Sequence, residues 1–168
     1  MRNVKLALIV IIAYVLQTVI IPDLNICGVA PNLLLVVVCS VSFLFGSTVG
    51  GTVGFFAGLL LDFNQGRAIG LYAFFCMYIG MALGQFNKRF FKDNYIVAVA
   101  ITGLVTVFFE TLVYIFGALA YFQKFDFLSF FTTLMLAALV NVITAVIVYP
   151  FILKINIGIE LNKNIFGK

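Results

Sequence analysis

The sequence predicts an all-α integral membrane protein, a bundle of about six transmembrane helices with both termini cytoplasmic. Three observations carry this. The 168 residues are 64% hydrophobic and only 10% charged, whereas a soluble domain carries about 25% charged residues. Mean hydropathy is +1.22. The apolar runs are long and continuous, unlike the alternating segments of roughly ten residues that build a lipid-facing β-barrel. An apolar chain in lipid must satisfy its backbone internally, and continuous runs do that as helices. The length suits a single multipass domain over residues 1–168.

The first run, MRNVKLALIVIIAYVLQTVIIP, has the basic start and apolar stretch of a signal peptide but no small-x-small cleavage site. It reads as a retained helix over Leu6–Ile21, ended by Pro22. Further apolar segments follow at Pro31–Phe45, Ser47–Leu61, Ala68–Phe86, Tyr95–Tyr121 and Leu128–Leu153. The second and third are short. About fifteen residues reach only some 22 Å at 1.5 Å per residue, against a hydrocarbon core of about 30 Å. They are either two short helices or one long tilted span, and charge arbitrates between these. Six spans with an inner N-terminus place eight basic residues inside (Arg2, Lys5, Lys88, Arg89, Lys92, Lys154, Lys163, Lys168) and two, Arg67 and Lys124, outside. Merging the short segments puts four inside and six outside. The positive-inside rule selects six spans.

The loop NKRFFKDN at 87–94 is basic and aromatic, suited to an inner-leaflet anchor or to a cytoplasmic docking surface. On the other side, YFQKFDFLSFF at 121–131 is an interfacial aromatic belt in a chain without tryptophan. The tail of residues 155–168 alternates apolar and polar from Ile155 to Asn162, as an interfacial segment or a frayed end.

Within the third segment, GSTVGGTVGFFAGLLLDFNQG, glycine recurs at 46, 50, 54 and 58, and the next step of four lands on Asp62. Residues four apart on a helix share one slowly winding ridge, and a small-residue ridge admits close approach of a neighbouring helix. The ridge Gly50, Gly54, Gly58 and Asp62, widened by Gly51 and Ala57, packs within the chain or receives a partner subunit. A comparable stripe runs through Gly66, Gly70, Ala73, Met77, Gly80 and Gly84. Gly46 suits the turn between spans. Asp62 pins the following hairpin, by capping the next helix or pairing with Arg67, or it contacts a partner.

Two polar residues lie near the middle of long apolar segments, Glu110 in TVFFETLVY and Asn141 in the last span. A charged residue at a helix centre costs about 2.5–3.5 kcal/mol. The fourteen Val, Ile, Leu and Phe of 96–120 return roughly 6 kcal/mol, so the span still inserts. Glu110 must then face protein or be neutralised. A Glu110–Asn141 hydrogen bond is the simplest pairing, with Thr106, Tyr114 or Thr144 as additions.

No enzyme assembles from these residues. The chain has no histidine, no HExxH, no P-loop and no GxSxG. Cys27, Cys39 and Cys76 are far apart without a CxxC pair. No cofactor or metal is expected, and no nucleic-acid partner.

The stretch GFFAGLLLDFNQGRAIGLYAFFCMYIGMALG at 54–84 resembles the MreD family of rod shape-determining proteins. That family carries a G-F-x-x-G-L-L-x-D core, then G-x-x-x-G-L and a further glycine-rich helix. Gly54, Phe55, Gly58, Leu59, Leu60, Asp62, Gly66, Gly70 and Leu71 match it. The upstream PNLLLVVV is similar to the family's second segment, while YIG at 78–80 departs from a frequent Gly-Tyr. The resemblance implies a non-catalytic membrane scaffold of the bacterial cell-elongation machinery. It would sit in the inner membrane with membrane lipid around it. It would work with an MreC-type single-pass protein, a RodA-type glycosyltransferase and a class B penicillin-binding transpeptidase in lateral peptidoglycan synthesis. The family is also similar in fold to the substrate-binding components of energy-coupling-factor vitamin transporters, which supplies the rival function. Asp62, Arg67 and Glu110 near an outer cavity would motivate that rival. The AxxxA docking motif expected of it on the first helix is missing, since Ile11 follows Ala7 and Gln17 follows Ala13.

Overall fold

A computed structural model describes residues 2–19, 29–65, 70–90, 95–121 and 127–165. Its six helices are α1 (Arg2–Val19), α2 (Leu33–Phe45), α3 (Ser47–Gln65), α4 (Leu71–Phe90), α5 (Tyr95–Tyr121) and α6 (Phe127–Ile165).

α2 and α3 are two separate helices, and the reason is local. Gly46 adopts φ 89°, a left-handed conformation that other residues rarely enter. It ends α2 with its N–H donating to the Ser42 carbonyl at 3.0 Å, while its own carbonyl accepts from Gly50 N–H at 2.8 Å. The chain therefore reverses on one residue.

α2 is the axis of the bundle and packs against each of the other five helices. Every side chain from Leu33 to Phe43 is buried. A helix apolar on all sides belongs inside other helices, and LLLVVVCSVSF has no polar face to offer. Its two serines donate back to carbonyls four residues earlier, Ser40 to Val36 at 2.8 Å and Ser42 to Val38 at 2.6 Å, so neither leaves an orphan group.

The long helices are the reverse. Tyr95–Gly117 and Phe127–Ile155 are each long and apolar enough to cross a membrane, yet only 33% of an apolar run of 18 residues within each is buried. α1, α2 and α4 contain shorter apolar stretches. The outward faces of α5 and α6 present Leu104 at 69% exposure and Ile147 at 69%. Apolar side chains so displayed would be costly in water and are at home in lipid.

Pro150 lies inside α6. Proline has no N–H, so the carbonyl four residues earlier, at Val146, loses its helical donor. The Tyr95 hydroxyl, from the start of α5, donates to that carbonyl, and its ring packs edge-on against Tyr149 at 5.6 Å. Tyr95→Phe is expected to cost about 1 kcal/mol, read as a lower unfolding midpoint in micelles with the bundle intact.

α6 runs on to Ile165, past the expected end at Leu153. The period-two alternation of the tail suits a strand, but a lone strand has no partner for its backbone. Continuing the helix satisfies every N–H internally.

Candidate functional site

The densest packing in the bundle is the antiparallel hairpin of α3 and α4, and its glycines explain it. A Cβ on Gly84 would fall onto the backbone of Ser47. One on Gly50 would lie 2.6 Å from the Gly80 carbonyl oxygen, one on Gly54 would strike the Cys76 carbonyl, and one on Gly58 would lie 2.5 Å from that of Tyr72. Each step of four up α3 thus meets a step of three or four down α4, so the helices touch backbone to backbone along their length. At Gly50 a third helix joins, because a Cβ there would also overlap the Ser42 hydroxyl of α2. In lipid no hydrophobic force presses helices together, and such close approach supplies dispersion contact instead.

The glycines are not equivalent. Gly51 is covered by the flexible Met81 side chain, whose Cγ would lie 2.6 Å from an added Cβ. Gly70, counted in the α4 stripe by spacing, is a turn residue with φ 103°, and nothing lies within 4 Å of a Cβ built there. Its conformation requires glycine, not the packing. Gly66 and Arg67 lie outside the described residues, as does Cys27.

Asp62 closes the ridge. It is 2% exposed, in the last turns of α3, and its carboxylate accepts three backbone N–H bonds from the start of α4. Gly70 donates to Oδ2 at 2.9 Å, Ala73 to Oδ2 at 3.1 Å and Tyr72 to Oδ1 at 3.0 Å. The first N–H groups of any helix lack an intrahelical acceptor. Here the acceptor comes from the preceding helix, eight to eleven residues upstream, instead of an adjacent cap. Negative charge at a helix N-terminus is also favourable to the macrodipole.

A second polar node sits at the start of α2. Asn32 caps it, its side chain accepting from Leu35 N–H at 3.1 Å. The Asn32 N–H donates to Asn141 Oδ1 of α6 at 2.8 Å, and Leu34 N–H donates to Gln17 Oε1 of α1 at 2.9 Å. Asn141 Nδ2 donates in turn to Thr106 Oγ1 of α5 at 3.2 Å. Side chains from α1 and α6 thereby complete the end of the central helix, and α5 holds the α6 amide in place. The Glu110–Asn141 bond expected from the sequence does not form; the Asn141 amide bonds Asn32 and Thr106 instead. Glu110 is half-buried on α5, and no hydrogen bond joins it to another of the described residues. Gln17 and Asn32 escaped the sequence reading, although an Asn directly before an apolar run is an N-cap signal. Asn141→Leu is expected to cost about 1–3 kcal/mol by orphaning the Asn32 N–H, seen as a lower midpoint in a denaturant titration in micelles.

Chemically, these two nodes hold backbone ends. Each acceptor of Asp62 and Asn141 already faces an N–H donor, and Cys39 and Cys76 are buried free thiols.

Comparison with curated proteins and with solved structures returned no match. A family model described as rod shape-determining protein MreD matches residues 1–156, nearly the whole chain. The match covers the glycine hairpin, Asp62 and the polar node alike, and the apolar outward faces agree with a membrane protein. The chain belongs to the MreD family of rod shape-determining proteins.

Proposed function

We propose that this protein is a non-catalytic membrane scaffold of the rod-shape machinery, supporting lateral peptidoglycan synthesis beside an MreC-type single-pass partner. The observation that carries the proposal is the family match over residues 1–156 together with the use of the polar groups. Asp62 and Asn141 are committed to helix ends, as a part that must keep its shape would require. A RodA-type glycosyltransferase and a class B penicillin-binding transpeptidase are the further partners this role implies. The rival reading, a vitamin-binding transporter component, leans on Asp62 as a ligand contact, and its three backbone bonds leave that carboxylate little to offer.

The arrangement proposed is six spans in the inner membrane with both termini cytoplasmic, supported by eight basic residues against two. Single cysteines introduced at loop and terminal positions, in a Cys27→Ser background, should react with an impermeant maleimide from the outside only in the loop of residues 22–30 and in the loops holding Arg67 and Lys124. Depletion of the protein should widen cells and disperse lateral wall insertion, and an MreC-type protein should co-purify from native membranes. Unchanged width with normal insertion would overturn the scaffold reading. A vitamin retained tightly through purification would favour the rival.

A further inference from the structure

The face of α3 opposite its glycines lines a groove of about 710 Å³ shared with α1. Leu6 and Val10 of α1 and Val53 of α3 form its buried floor. Ile11, Phe56 and Phe63 stand along its walls, 57%, 63% and 70% exposed. The groove is polar at one end. Asn3 and Thr48, in the first turns of α1 and α3, line the mouth, and the lining beyond Thr52 is apolar throughout.

We infer that this groove holds one acyl chain of an anionic phospholipid, with the head group at the Asn3–Thr48 mouth. From Thr48 to Phe63 the groove follows α3 for about 22 Å, long enough to take an extended acyl chain. Charge selects the head group. The mouth lies at the end of α1 that carries Arg2 and an exposed Lys5, and no Asp or Glu occurs in 1–22 or 24–61. Basic residues at a membrane surface attract anionic lipid at about 1 kcal/mol each. The polar mouth and apolar body repeat the division of the lipid itself. This inference needs the membrane setting alone and not the proposed partners.

The test is native mass spectrometry of the purified full chain in detergent, titrated with phosphatidylglycerol and with phosphatidylcholine of identical acyl chains. Phosphatidylglycerol adducts should survive collisional activation that strips phosphatidylcholine. Thr52→Trp and Ile11→Trp, both exposed residues on the groove, should each lower phosphatidylglycerol retention about tenfold. Leu104→Trp on the outer face of α5 should leave it unchanged. Combined Arg2→Gln and Lys5→Gln should bring phosphatidylglycerol down to the level of phosphatidylcholine. Equal retention of the two lipids by the native chain would overturn the inference, as would retention unmoved by both tryptophan variants. A homodimer mass lost in those variants would also overturn it, by seating a second copy in the groove.

Discussion

Gly54→Leu and Gly58→Leu are each expected to destroy the folded bundle, seen as loss of the monodisperse species in detergent and of rod shape in complemented cells. A leucine adds its first carbon inside the Cys76 carbonyl in one case and against the Ala73 and Tyr72 backbone in the other. Overpacking that a side chain can relieve costs about 1–3 kcal/mol. Here the obstacle is backbone, and relief means moving the whole of α4 off α3, with loss of every contact along the hairpin. Gly54→Ala should already be damaging for the same reason. The controls sharpen the point. Gly51→Ala meets only the Met81 side chain and should be mild. Gly70→Ala should cost about 1–2 kcal/mol from its left-handed backbone. Gly117→Ala, with nothing within 4 Å, should be neutral or gain up to about 1 kcal/mol of helix propensity. If Gly54→Leu and Gly58→Leu both assemble normally, the close-packed ridge is wrong.

Asp62→Ala should rank next, at roughly 3–5 kcal/mol, because it strands three N–H donors at the start of α4 and each buried orphan costs about 1–3 kcal/mol. Partial water access at that end keeps the total below the full sum. Asp62→Asn should fall well short of this. Its single oxygen can still serve Gly70 and Ala73, which share Oδ2 in the native chain. Its amide then faces the Tyr72 N–H, donor against donor, so one bond of the three is lost. The order Gly54→Leu, Asp62→Ala, Asp62→Asn can be read from denaturant titrations of purified variants in micelles. A neutral Asp62→Ala would remove the clamp from the account. Damage from Asp62→Asn equal to that from Asp62→Ala would show that charge matters more than acceptor count.

Much of this was legible in the chain. The apolar runs gave α5 its bounds at Tyr95 and Tyr121, since nothing in that stretch offers a helix stop. Gly46 read as a turn because the ladder begins where one segment ends. The spacing of four in α3 named the residues that line one ridge. Helical periodicity is local, and local order is what a linear sequence records.

What met the ridge was left open between a neighbouring helix and a partner subunit, and only the tertiary structure places the backbone of α4 there. Depth along a helix does not determine rotation about it, which is why Glu110 and Asn141 looked paired. The short α2 ends inside the bundle with unsatisfied N–H groups, and that demand, not the nearest acid, captures Asn141. Gln17 went unnoticed for the same reason, because its partner is a backbone group seventeen residues away. The composition and periodicity of this sequence determined that it is helical, belongs in lipid and carries a close-packing ridge. The tertiary structure decided which backbone each small or polar residue serves, because a backbone donor looks the same at every position until the fold leaves it without an acceptor.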